Sequence, residues 1–382
     1  MKRNLLITLL LLSTLACYAQ RLIHDPSIPI QKFRIIIEQL RGGTVSENLT
    51  DLTYIPLGGT KNDVIDYIAS SVFTKERIAI VNNENGHLFL YDEKGNLIKR
   101  ISKIDGYKPK DKRVFYGVQR EGNKLILFGE LLKATLDFDG NILEKDIDYK
   151  YKTERPIVTL GETTYTYGRT EVKKDSFPEF ALKMNDQILV RYDTRDTVSN
   201  IFSQGTPLVK ISDTKAFAIF PTTYNFFELS PDGISKIHQF LFPLKNTIDT
   251  SNFQVYKSGQ KLFEYLNKNQ EKVYCVGQPL LYKNYLILQI GSLKLAAWVA
   301  YDINRGDIIS LNKILPDVSN DFLEFLDRNT LTTDGEYLYS IIYPNAIPRA
   351  KDKSRNEGHS MRNEYAKLEK SLNPILVRFK LN

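Results

Sequence analysis

The stretch FTKERIAIVNNENGHLFLYDEKGNLIKRI, residues 73–101, decides the fold class. Its apolar, β-branched and aromatic runs at 78–81, 88–91 and 97–101 predict three strands. The Asn and Gly residues between these runs favour tight hairpin turns. The second run ends in an aromatic-Asp pair, Tyr91-Asp92. Because a sheet of three or four strands cannot bury both of its faces alone, such a unit needs neighbours on both sides.

Looser copies of this pattern follow along the chain. They lie at residues 117–147, 163–193, 215–242, 280–314 and 334–382. Asp137-Phe138 and Tyr301-Asp302 occupy the aromatic-Asp position in two of them. Repeated sheets of this size bury their faces by stacking around an axis. The sequence therefore predicts an all-β fold, a β-propeller of six blades, with seven blades or a large β-sandwich as alternatives.

The two ends of the repeat region predict how the propeller closes. After the turn signal Asn373-Pro374, the apolar run at 375–377 and the alternating Phe379 and Leu381 indicate a strand. We expect this strand to pair with residues 54–57, ahead of the first blade. The predicted organisation is a signal peptide at 1–19, a leader at 20–48 and a propeller domain at 49–382.

The first twenty residues, MKRNLLITLLLLSTLACYAQ, predict a secretory signal peptide. Lys2 and Arg3 precede an apolar run at 5–12, and Ala19 completes a small-residue cleavage site. We expect an exported protein that begins at Gln20 and is periplasmic or extracellular. The alternative is lipidation of Cys17, which would make the chain an outer-membrane lipoprotein.

Charge and cysteine content limit the partners. The chain carries 52 Lys and Arg against 45 Asp and Glu, a net charge of +7, which falls to +5 without Lys2 and Arg3. The mild, interspersed excess and the predicted export argue against nucleic acid as a partner. No later apolar run is long enough for a transmembrane helix. Without Cys17, Cys275 is the only cysteine, and its apolar neighbours predict a buried strand residue.

The chain also resembles a known family in three segments. These are LTDLTYIPLGGTKNDVIDYI at 49–68, IAIVNNENGHLFLYDEKGNLIKRI at 78–101 and NPILVRFKLN at 373–382. They resemble the opening, the first blade and the closing strand of the secreted six-bladed β-propeller proteins of Bacteroidota, which are similar in shape to NHL-repeat propellers. The resemblance implies the fold and export, and it supplies no catalytic residue for this chain; the cofactor is left unknown.

Motifs for chemistry are few. The histidines are scattered, at positions 24, 87, 238 and 359, with no spacing typical of a metal site. No Walker loop, dinucleotide fingerprint or nucleophile elbow is present. Asp137, Asp139 and Asn141 superficially match a calcium loop, but the residues around them favour an Asp-Gly hairpin turn. The sequence assigns no catalytic residue, metal ligand or cofactor.

One segment has a weak ligand-binding signal. Residues 349–372 predict a long, charged loop that is helical around 364–370. Four of its residues are candidates for a basic lip that selects an anionic ligand: Arg349, Arg355, His359 and Arg362. A solvated loop without function is the alternative.

These observations favour a non-enzymatic binding or interaction module at the bacterial cell envelope. Its partner would be a peptide, a protein or a glycan. The alternative is a propeller enzyme, a lyase or hydrolase, whose residues converge in the central funnel from different blades. A purely structural scaffold is a third hypothesis.

Overall fold

The computed structural model describes residues 22–110, 112–149, 157–169, 179–193, 208–220, 223–248, 259–294, 297–327 and 330–382. These residues form 27 strands in six small sheets, together with short helices. The sheets are the blades of a six-bladed β-propeller, so the predicted fold class and blade number are confirmed. The predicted signal peptide and Cys17 lie outside the described residues.

Four strands precede the first blade along the chain: β1 (Leu22–Ile23), β2 (Ile30–Arg34), β3 (Arg41–Thr44) and β4 (Leu49–Pro56). The first blade contains β5 (Ile68–Phe73), β6 (Arg77–Asn82), β7 (Leu88–Asp92) and β8 (Leu97–Ile101). The second contains β9 (Gly117–Glu121), β10 (Lys124–Phe128), β11 (Lys133–Leu136) and β12 (Ile142–Asp146). The third contains β13 (Ile157–Leu160), β14 (Thr163–Arg169), β15 (Glu179–Met184) and β16 (Gln187–Asp193).

The fourth blade contains β17 (Leu208–Ser212), β18 (Lys215–Phe220), β19 (Asn225–Ser230) and β20 (Gly233–Leu241). The fifth contains β21 (Cys275–Tyr282), β22 (Tyr285–Gly291), β23 (Ala297–Asp302) and β24 (Ile308–Leu315). The sixth contains β25 (Leu331–Thr333), β26 (Leu338–Ile342) and β27 (Ile375–Leu381). The α-helices are α1 (Val45–Asn48), α2 (Gly259–Lys268), α3 (Ala346–Asn356) and α4 (Asn363–Ala366).

By its internal contacts the described chain divides into two compact units. The first unit holds the described residues within 41–154, 282–285 and 309–382, and the second holds those within 22–40, 155–281 and 286–308. The candidate site described below lies in the first unit.

Strand β6 shows why a blade needs neighbours. Ile78 and Ile80 belong to one buried cluster, whereas Ala79 and Val81, on the other face of the strand, belong to a second. Side chains of a strand alternate between faces, so both faces of this blade are buried. This explains the continuous apolar run that identified the blade in the sequence.

The Asp of the repeated pattern holds the hairpin turn. The Oδ1 atom of Asp92 accepts the backbone N–H of Asn96 at 2.8 Å, and that of Asp137 accepts the N–H of Asn141 at 2.8 Å. Asp302 does the same for the N–H of Asn304 at 2.9 Å. The hairpin interpretation of residues 137–141 is therefore confirmed. The Asp137 carboxylate and the Asn141 amide groups form hydrogen bonds within the turn.

The described part of the predicted leader contributes strands to three blades, and we call residues 22–44 the N-terminal strap. Strand β1 pairs antiparallel with β16, and β2 pairs parallel with β20 from Ile30–Ile237 to Arg34–Leu241. Strand β3 pairs parallel with β24. In each blade the strap covers the edge strand, whose free N–H and C=O groups would otherwise remain unpaired.

The predicted closure is confirmed. Strand β27 pairs antiparallel with β4, with Ile375 opposite Pro56 and Val377 opposite Tyr54. The C-terminal strand and the strand that precedes the first blade therefore share the sixth blade.

The segment after β26 differs from the prediction. A loop was expected at 349–363, but α3 forms because Ala346, Ile347, Ala350 and Ser354 make a buried stripe at helical spacing. The charged residues between them, which dominated the sequence pattern, lie on the outer face of the helix. The short surface helix predicted within residues 252–272 is present as α2 (Gly259–Lys268).

Candidate functional site

The predicted lip residues divide into two pairs in the structure. His359 and Arg362 both contact Asp321, which has a left-handed backbone (φ 54°) and is only 1% exposed. The His359 Nε2 atom lies 2.6 Å from Asp321 Oδ1, and Arg362 Nε donates to Oδ2 at 2.8 Å. The backbone N–H of Arg362 donates to the same oxygen at 3.1 Å. These two side chains thus anchor the segment after α3.

Electrostatics supports this structural role. Burial alone would raise the pKa of Asp321, but the hydrogen bonds from Arg362 and His359 outweigh it and lower that pKa. The carboxylate is therefore charged at neutral pH. The Arg362 guanidinium also lies 4.2 Å from the ring centroid of Tyr365, in a cation–π contact.

Arg349 and Arg355 lie on the exposed side of α3. An Arg349 Nη2 atom lies 3.3 Å from Glu324, and an Arg355 Nη1 atom lies 3.6 Å from Asp352. Their side chains are 70% and 79% exposed, so the pairs are strongly screened by water. Of the four predicted residues, these two have the most exposed side chains.

The structure also contains a pocket that the sequence did not indicate. It lies between β5 of the first blade and β9–β10 of the second, and its volume is about 360 Å³. It is lined by Ser70, Tyr116, Gly117, Val118, Gln119, Phe128, Gly129 and Glu130. Ligand sites are typically concave, largely apolar and supplied with a few polar groups. This lining has that composition.

One serine of the pocket lining forms hydrogen bonds between the two blades. The Ser70 Oγ atom donates to the backbone oxygen of Val118 at 3.0 Å and accepts the Val118 N–H at 3.1 Å. The first strands of the two blades are joined there by a side chain in place of a strand ladder.

Two glycines leave room in the pocket. A Cβ on Gly129 would lie 2.5 Å from the Tyr107 hydroxyl oxygen, so a larger residue at that position would require the Tyr107 side chain to shift. A Cβ on Gly117 would only reach ordinary contact with Ser70, at 3.6 Å. Position 117 can therefore carry a side chain, and that side chain would occupy the pocket.

Charged groups of both signs lie at the pocket. The Glu130 Oε2 atom accepts the backbone N–H of Lys110 at 3.3 Å, and the Lys110 ammonium is 3.9 Å from Glu130 Oε1. The Arg113 guanidinium lies 5.3 Å from the centre of the Tyr116 ring. The pocket thus combines aromatic walls with a carboxylate and nearby cations.

Sequence reasoning missed this site because its parts are separated along the chain. Ser70 and Glu130 are far apart in sequence and belong to different blades. The only local signal is the pair of glycines at the two ends of the β9–β10 hairpin, Gly117 and Gly129. Glycine at such positions often marks a close approach of backbone or ligand.

Two further observations concern the described residues alone. They contain no group of three or more His, Cys, Asp or Glu side chains placed to hold a metal ion. None of their helices has the length and apolar character needed to cross a membrane.

No family model matches the chain, and no curated protein matches it. Solved structures do match. A presumed exported protein of Bacteroides fragilis has a TM-score of 0.63 at 13% identity, covering 92% of this chain and 99% of its own. A member of the DUF4221 family from Bacteroides vulgatus has a TM-score of 0.46 at 9% identity, covering 87% and 97%. Virginiamycin B lyase from Staphylococcus aureus has a TM-score of 0.34 at 9% identity, covering 76% and 80%.

At these identities a likeness shows the fold alone. The resemblance to six-bladed propellers of Bacteroidota is therefore confirmed at the level of the fold. The DUF4221 protein and the lyase have TM-scores below 0.5, and neither likeness says anything about the activity of this chain.

Proposed function

We propose that this protein is an exported binding protein of the cell envelope, and that the pocket between β5 and β9 takes up a sugar residue of a glycan. The observation that carries this proposal is the pocket itself. Its aromatic side chains, Tyr116 and Phe128, offer flat apolar surfaces to the face of a ring. Gln119 and Glu130 offer hydrogen-bonding groups of the kind that sugar hydroxyls require.

Export rests on the signal-like residues 1–19. An intact-mass measurement of the protein from its native host tests it. A chain that begins at Gln20 supports release from the membrane. A diacylglycerol adduct on Cys17 would instead make the protein lipid-anchored.

The pocket is tested with a substitution that fills it. Isothermal titration calorimetry with a panel of envelope-derived oligosaccharides identifies a binder, and the measurement is repeated on Gly117→Leu. We expect the leucine to occupy the pocket and to weaken binding at least about tenfold, the effect of losing about 1.4 kcal/mol of binding energy. Glu121→Leu, at an exposed position on the same strand, is the control and should bind like the parent protein.

Two results would overturn the proposal: no oligosaccharide binds, or Gly117→Leu and the parent protein bind equally well. Chromatography of the oligosaccharide after long incubation separates binding from catalysis. An unchanged oligosaccharide supports a binding protein, whereas a cleaved one would favour the alternative of a propeller enzyme.

Arg349 and Arg355 remain the proposed basic lip for an anionic ligand, because their side chains are exposed and their ion pairs are screened. If the lip contributes, Arg349→Ala/Arg355→Ala lowers the affinity for acidic oligosaccharides and reduces its salt dependence, while the affinity for neutral ones is unchanged. Equal affinities for acidic ligands in the double variant and the parent protein would remove the lip from the site.

A further inference from the structure

The blades differ in whether an added strand covers their outer edge. In the third, fourth and fifth blades the edge strands β16, β20 and β24 each receive an added strand from the N-terminal strap. One added strand is antiparallel and two are parallel, so these edges accept an extended segment in either direction. In the second blade, β12 is the outer strand, and no other described strand pairs with its free edge.

Strand β12 is also unusually exposed. All five of its residues, ILEKD, are exposed, whereas the interior of β6 is fully buried. Ile142 and Leu143 are 42% and 54% exposed, and Ile147 just beyond the strand is 38% exposed. An open edge with aliphatic side chains is a template for pairing with another chain.

The charges on β12 indicate which charge a pairing strand from another chain would need. Glu144 and Asp146 share one face, because side chains two residues apart point the same way. Among the described residues neither carboxylate takes part in an ion pair within 4.0 Å, although Lys133 of β11 lies opposite Asp146 in the register. The Lys145 side chain points to the other face, where its ammonium donates to the Asp105 backbone oxygen at 2.7 Å. The carboxylate pair is therefore not neutralised by its neighbour in the strand.

A second copy of the chain fits poorly. Two copies joined by a twofold axis along the full strand would place Glu144 opposite Glu144, and directly opposed like charges destabilise a sheet. A strand of another protein with basic side chains at alternate positions would instead place positive charges opposite Glu144 and Asp146, and such pairs stabilise a sheet.

We propose that the outer edge of β12 is a strand-addition site for an extended, basic segment of another protein. The backbone of the partner would extend the second blade as the strap extends the third, fourth and fifth. Its lysine or arginine side chains would lie opposite Glu144 and Asp146, and its apolar side chains would cover the exposed aliphatic residues of the strand. This surface is separate from the pocket, which lies at β9, the other edge strand of the same blade.

The test uses the full chain and a fluorescent peptide in which lysine alternates with valine. We expect saturable binding by fluorescence anisotropy, and weaker binding of a peptide of equal charge whose central residues are prolines, which cannot donate to a strand ladder. Glu144→Lys/Asp146→Lys should lower the affinity for the lysine peptide at least about tenfold, since two favourable cross-strand pairs become repulsive. Glu93→Lys/Glu121→Lys changes the net charge equally at exposed positions elsewhere and should leave the affinity unchanged.

Hydrogen exchange on the unsubstituted protein provides a measurement that does not depend on the variants. The proposal expects the amides of residues 142–146 to gain protection when the lysine peptide binds. Equal weakening by both double variants, equal binding of the proline peptide, or unchanged exchange in β12 would overturn it. A dimer in sedimentation experiments that is lost in Glu144→Lys/Asp146→Lys would also overturn it, because the occupant would then be a second copy.

Discussion

At the scale of single residues, the basic side chains after β26 have unequal roles. Arg362 compensates the buried Asp321, whereas Arg349 and Arg355 form exposed pairs that contribute little to stability. We expect Arg362→Ala to lower the free energy of unfolding by roughly 1–3 kcal/mol, because it removes donors from a buried charged acceptor. Urea denaturation followed by circular dichroism measures this change.

The double variant Arg349→Ala/Arg355→Ala is the matched control. Each exposed substitution should change the free energy of unfolding by less than about 0.5 kcal/mol. If Arg362→Ala is as stable as this control, the contact with Asp321 does not anchor the segment, and Arg362 belongs with the predicted lip.

At the scale of secondary-structure elements, the N-terminal strap is held by more than backbone pairing. Phe33 of β2 is 8% exposed and lies 4.6 Å, centroid to centroid, from Tyr301 and 5.7 Å from Phe240. Its ring is also stacked on His238 at 5.9 Å. The strap thus inserts an aromatic side chain into the core of the second unit.

We expect Phe33→Ala to lower the free energy of unfolding by about 3–5 kcal/mol, as for other buried Phe-to-Ala changes. Lys32→Ala, at the exposed neighbouring position of β2, should change it by less than about 0.5 kcal/mol. Limited proteolysis of the folded protein gives a second measurement, since a loosened strap would be cut first. Equal stability of the two variants would mean that the strap is dispensable for the fold.

The sequence predicted elements well where their pattern is local and poorly where it is not. Strands β6 to β8 were predicted almost to the residue, because apolar runs and Asn or Gly turns specify hairpins within a few positions. The strap was predicted only as a leader, because β2 pairs in parallel with β20, a strand some two hundred positions away. Helix α3 was missed because its narrow apolar stripe is masked by charged residues.

At the scale of the whole molecule, the repeat predicted the architecture but not the candidate site. Six copies of one strand pattern are enough to infer stacked blades, since each blade must bury both faces. The pocket depends instead on Ser70 of the first blade lying against Gly117 and Glu130 of the second, which requires the two blades to pack. No spacing rule in a single sequence connects such positions. The fold could therefore be predicted, whereas the pocket required the structure.

The last prediction concerns closure of the propeller. Strand β27 pairs with β26 on one side and with β4 on the other, so it joins the C-terminus to the segment that precedes the first blade. Removal of residues 374–382 would leave the edges of both neighbours unpaired and delete five side chains that are 0–3% exposed: Ile375, Leu376, Val377, Phe379 and Leu381. Each buried side chain contributes roughly 1.5–3 kcal/mol, and domains are stable by only about 5–15 kcal/mol.

We therefore expect the truncated protein to aggregate or to melt far below the full chain in differential scanning calorimetry. Removal of Asn382 alone, which is exposed and forms three hydrogen bonds, should have a much smaller effect. A truncated protein that stays monomeric and nearly as stable as the full chain would show that the β27–β4 pairing does not hold the propeller closed.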